Sequence, residues 1–127
     1  MSEKLTLADA MKYPNAGIKN DSREYPNLVS FIDSNIKVDL STPLVNAWLD
    51  GYQLVLRSID QLTGDEKEDI SKFIIDEDDN FWWRWDGTFS QILEICPLEN
   101  ITVLIDYLRS RNIDIDGYIE NGKAVKG

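Results

Sequence analysis

The run STPLVNAWLDGYQLVLRSIDQLTG, Ser41 to Gly64, constrains the fold more than any other stretch of the chain. Leu44, Trp48, Tyr52, Val55, Ile59 and Leu62 recur at steps of four, four, three, four and three, the spacing that lines one face of an α-helix. Thr42 can cap that helix, Pro43 suits its first position, and Gly64 can end it in the left-handed conformation. The spacing predicts one long helix through the middle of the chain. A glycine inside a helix costs ~1 kcal/mol relative to alanine, so Gly51 is expected to mark the close approach of a neighbouring helix.

Helix signals continue on both sides. TLADAMK, from Thr6 to Lys12, places Leu7 and Met11 four apart before YPNAG stops it, and EYPNLVSFIDSNI offers Pro26 as a first helical residue with Leu28, Phe31, Ile32 and Ile36 on one face. Asp65 is expected to open a further helix, with Glu68 in a carboxylate variant of the capping box, Ile70, Phe73 and Ile74 inward, and an end near Ile75. Thr88 and Gln91 have capping-box spacing at the head of TFSQILEIC. Pro97 separates that helix from PLENITVLIDYLRSR, or kinks the two as one; Leu98, Ile101, Leu104, Ile105 and Leu108 of the second share a face. Arg109 and Arg111 fall in its last turn, where positive charge complements the helix dipole. IDIDGYIENGKAVKG then changes to a period of two, and its Asn-Gly is a tight-turn signal. With no repeat or linker, the expected architecture is a single domain, 1–127. It is a mainly α bundle of five to seven helices with a small C-terminal β-hairpin, an α+β arrangement being the alternative.

A chain of 127 residues with 43% apolar content can bury a core without disulfides or metals. It has no histidine and one cysteine, Cys96, which closes the usual Ser/His/Asp and Cys/His nucleophile systems and the usual zinc site. No catalytic residue, metal ligand or cofactor is assigned. Asn112, Asp114, Asp116 and Gly117 imitate the opening of a calcium loop, but the twelfth position is Lys123, which cannot ligate. The opening MSEKLTLADAMK lacks a basic n-region followed by an apolar h-region, and no apolar run approaches the ~20 residues of a membrane span. A soluble, cytoplasmic protein is expected.

Charge narrows the partners. Thirteen bases face 23 acids, a net of −10, which opposes binding to nucleic acid or an anionic membrane and favours encounter with a basic protein. The excess is local: from Asp60 to Asp86 ten acids face Lys67, Lys72 and Arg84. This segment closes with DEDDNFWWRWDG, where four carboxylates abut a phenylalanine and three tryptophans. Read as an extended strand, Phe81, Trp83 and Trp85 point inward while Trp82, Arg84 and Asp86 share the other face. Trp82 would then be an apolar anchor in an acidic rim, the composition expected of a surface for a basic protein. The competing reading makes the aromatics core and the acids a solvated face.

Basic proteins that must be captured quickly include nucleases and other toxins acting on polyanions. In size, acidity, lack of histidine and the acidic-aromatic segment Asp65 to Asp86, the chain resembles the bacterial toxin immunity proteins. These are small acidic cytosolic inhibitors paired with colicin-like or contact-dependent toxins. The resemblance is one of class, with no diagnostic motif matched. It implies stoichiometric occlusion of a cognate toxin domain. Asp65, Glu66, Glu68, Asp69, Asp76, Glu77, Asp78 and Asp79 would pair with its Lys and Arg, Trp82 would fill a pocket, and Asp86 would stand on the same face. A carboxylate-only or Mg-dependent small hydrolase and an acidic adaptor subunit are the alternatives, and self-association through an exposed tryptophan is also open.

Overall fold

A computed structural model describes residues 4–35, 42–75 and 80–127. The first half of the chain runs α1 (Leu7–Lys12), β1 (Gly17–Lys19), β2 (Glu24–Tyr25), α2 (Leu28–Asn35), α3 (Thr42–Leu49) and β3 (Gln53–Ser58), then a 3-10 turn at Ile59–Gln61. The second half runs α4 (Gly64–Ile70), α5 (Phe81–Arg84), α6 (Phe89–Glu94), α7 (Leu98–Ser110), β4 (Ile113–Asp114), α8 (Tyr118–Asn121) and β5 (Ala124–Lys126). Ile36 and the acids Asp76 to Asp79 lie outside the described residues.

The expected mainly α bundle is overturned. The described residues form an α+β fold, eight α-helices with a five-stranded mixed sheet. The long central helix does not exist, because Gly51 adopts φ +89° and α3 stops at Leu49. That conformation is left-handed and favours glycine. A Cβ on Gly51 would meet nothing within 4 Å, so the residue is there for its backbone and not for close packing. Beyond it the chain runs extended as β3, with Leu54 and Leu56 buried on one side. The helical stripe also fails within α3, where Val45 and Leu49 are buried and Trp48 is 45% exposed. Gly64 is likewise no left-handed terminator but the first residue of α4.

Strand β3 is the hub of the sheet. β1 pairs with it antiparallel, Ile18 opposite Leu54, and β2 pairs with β1. β5 and β4 both pair with β3 in parallel, Leu54 opposite Ala124 and Arg57 opposite Ile113. The C-terminal period-two signal was therefore strand signal, but the two strands pair with β3 instead of forming a hairpin. The reason lies in Asp114, whose carboxylate accepts the backbone N–H groups of Asp116, Tyr118 and Ile119 and so starts the short helix α8 between them. The two aspartates of the calcium-like set, Asp114 and Asp116, are thus spent on internal bonds.

Local signals were more faithful. Thr6 and Asp9 close a reciprocal capping box on α1, and Thr63 and Glu66 close one on α4, two residues upstream of the expected start. Asn27 caps α2 by accepting from Ser30 N, so Pro26 precedes the helix. Pro97 does separate α6 from α7, and Leu104 and Leu108 are fully buried, whereas Leu98 is 87% exposed.

Two apolar clusters result. One gathers Tyr13, Ile18, Phe31, Val45, Leu49, Leu54 and Leu56 around β1 and β3; the other gathers Leu62, Ile70, Ile74, Phe81, Ile92, Leu104, Leu108 and Ile113 among α4 to α7 and β4. Polar bonds tie the two. Tyr13 of α1's C-terminus donates to Asp116 at 2.7 Å, and Arg109 of α7 donates to the same carboxylate at 2.9 Å. Burial alone would raise the Asp116 carboxyl, but Arg109 and Tyr13 outweigh it and hold it below the usual carboxylate range. Among the described residues no helix is long and apolar enough to cross a membrane.

Candidate acidic and aromatic surface

Helix α4 divides its side chains among three directions, because residues four apart stack on one side of a helix. Glu66 and Ile70 turn inward and are 4% and 0% exposed. Asp65 and Glu68 face water. Lys67 and Ser71 meet the aromatic turn α5, where Trp82 Nε1 donates to Ser71 Oγ at 2.9 Å.

Glu66 is the most constrained acid of the segment. Arg57 of β3 grips both its oxygens, at 2.7 and 2.8 Å, Thr63 N donates at 3.0 Å, and Arg111 Nε stands 3.6 Å away. The Arg57 hydrogen bonds, working against burial, hold its carboxyl down at about 2. It is committed within the fold. Asp69 is half-buried, accepts from Tyr107 at 2.8 Å and lies 3.7 Å from Lys72. Asp86 accepts from the backbone and hydroxyl of Thr88, which keeps its carboxyl low and shapes the bend before α6. At Gly87, φ +86°, that bend backs onto Asp60, whose Cβ would lie 3.6 Å from an added Cβ. Asp60 is therefore brought against the Gly87 bend, with Asp65 and Glu68 displayed from α4.

The aromatic half is a helical turn and not a strand, which changes the facing of its rings. Phe81 enters the core, Trp82 and Trp85 are half-buried and meet edge to face with centroids 5.2 Å apart, and Trp83 is 89% exposed. The outward indole is Trp83; alternation had assigned it to the core and Trp82 to solvent. A helical reading of the same residues finds the arrangement, since Trp82 and Trp85 are three apart and Trp83 falls between them. Lys67 was also missed: its ammonium lies 5.8 and 5.6 Å from the Trp82 and Trp85 ring centres.

Other clusters offer less. Asp9 is buried and accepts from Tyr118, Lys123 and Thr6, which together overcome its burial and keep it ionised. Among the described residues no group of three or more His, Cys, Asp or Glu side chains is arranged to hold a metal ion. An open cleft of about 740 Å³ beside Lys19, Asp21 and Gln53 is polar, and among the described residues that line it Asp21 is the one carboxylate. No protein-family model, curated protein or solved structure matches the chain.

Proposed function

We propose that the chain is a protein-binding inhibitor of the immunity type, neutralising a basic, nuclease-type toxin domain by covering it. The observation that carries the reading is Trp83, 89% exposed on a turn seated against the acidic helix α4. An indole left in water has a large apolar area to bury in a partner and few rotamers to lose, and Asp65 and Glu68 displayed from the neighbouring helix favour a partner of opposite charge. The anchor is thus Trp83, Glu66 serves the fold, and the exposed acids serve encounter.

A carboxylate hydrolase would need an acid and a base converging in a cleft. The two buried carboxylates among the described residues, Asp9 and Glu66, are instead each saturated by cations and hydroxyl or amide donors, which favours the binding reading.

The test is titration against a purified basic toxin domain encoded beside the chain's own gene, by calorimetry and stopped flow. A one-to-one complex is expected. Trp83→Ala should weaken it by about 10-fold through faster dissociation. Asp65→Asn with Glu68→Gln should slow association and flatten its salt dependence, leaving dissociation nearly unchanged. No complex, or a complex indifferent to Trp83→Ala, rejects the proposal.

A further inference from the structure

Lys67 is the one base on α4, and it occupies a corner built of two indoles. Trp82 and Trp85 stand at 87° to each other, and the ammonium lies within 6 Å of both ring centres. Both walls are fixed, because Trp82 Nε1 donates to Ser71 Oγ and Trp85 Nε1 donates to the Thr88 carbonyl at 2.8 Å. Phe81 supports Trp82 from 4.9 Å. Ring faces are electronegative, so a rigid right-angled pair of them forms a receptor for a cation.

A lysine is not the best guest for that corner. Guanidinium is planar, stacks on indole and is more weakly hydrated than ammonium, so exchange of Lys67 for an incoming arginine is favourable where the walls are ring faces. Lys67 has a flexible stem and can return to water. Asp65 and Glu68, exposed on the same helix, supply the field that draws an arginine toward the corner.

We propose that the Trp82–Trp85 corner receives an arginine side chain of the partner, and that Lys67 is its resident stand-in, displaced when the complex forms. This rests on the basic-partner reading and adds to it a residue type and a place.

The test uses the full chain with Trp48→Phe and Trp83→Phe, which leaves Trp82 and Trp85 as its only tryptophans. Their emission is followed on titration with N-acetylarginine amide, against N-acetylalanine amide at matched chloride. Lys67→Ala and Lys67→Gln should each give saturable binding at least ~3-fold tighter than the chain retaining Lys67. Adding Trp85→Leu should abolish the response while far-ultraviolet circular dichroism stays unchanged. Should Trp85→Leu not fold, Trp85→Phe should weaken the response instead. Binding no tighter without Lys67, or equal binding of the alanine amide, overturns the corner. The two readings fail separately. If the corner binds arginine but no toxin complex forms, the inhibitor proposal falls alone; if a salt-sensitive complex forms unchanged in Trp85→Leu, the corner falls alone.

Discussion

Replacing Arg57 with leucine is expected to lower folding stability by about 3 kcal/mol, measured by urea denaturation at pH 7. Arg57 holds both oxygens of Glu66 and also donates to the Gln61 carbonyl at 2.9 Å, joining the end of β3 to the start of α4. Without the guanidinium a 4% exposed carboxylate would remain, with Thr63 N and the more distant Arg111 for support. Breaking a buried pair from one side typically costs about 3–5 kcal/mol, and Arg111 places this one at the lower end. Removing both partners, Arg57→Leu with Glu66→Leu, should cost less than the two single changes added, since no charge is then stranded. Acid supplies an independent reading. The folded-state pKa of Glu66, about 2, lies below its ordinary 4.5, so its contribution is complete above about pH 4.5 and is lost as pH falls toward 2. In Arg57→Leu that part of the acid dependence should shrink. A loss under about 1 kcal/mol, or an unchanged acid profile, would show that the pair is not coupled to folding.

Glu66 also shows how far the site was legible. Its charge counted toward a local acidic excess, which sequence can count, but its direction depends on Arg57, nine residues upstream on a strand that was not expected. Asp65 and Glu68, its neighbours in the chain, point to water for no reason visible in their own chemistry. They are acids on the outer side of a helix whose inner side is set by Ile70. The aromatic turn was misfaced for a related reason. Five residues are too few for a period of two to be told from one of 3.6, and one choice exposes Trp82 while the other exposes Trp83.

The elements that were legible are those whose signals close within about four residues. Thr88 capping Gln91 N, Pro97 as a boundary, and Ile70, Leu104 and Leu108 as inward positions all depend on bonds or stacking along one helix. Strands β1 and β2 are three and two residues long and carry no period at all. Their existence depends on β3, and β3 in turn pairs with Ala124 and Ile113, more than fifty residues away. Such pairings are made by tertiary burial, which overrides local preference.

The central segment makes that conflict testable, because Tyr52 to Ser58 satisfies both periods. A helix would direct Val55 inward with Trp48 and Ile59 and leave Leu54 and Leu56 off the stripe, where truncation costs little. A strand buries Leu54 and Leu56 together on one face, and both are 0% exposed. Leu54→Ala and Leu56→Ala are therefore each expected to cost about 2–5 kcal/mol, and half-buried Val55→Ala distinctly less. The loss should spread beyond β3. Leu54 N donates to the Lys123 carbonyl, Gly127 N to the Leu56 carbonyl and Arg57 N to the Asn112 carbonyl, so loosening β3 should also raise amide hydrogen exchange in β5 and the Asn112 turn. Val55→Ala as costly as Leu54→Ala and Leu56→Ala, with exchange confined to residues 44–62, would restore the helix. The opposite ranking, with exchange at Gly127 rising alongside, is what a strand at the centre of a mixed sheet requires, and it would place Arg57 where it can reach Glu66.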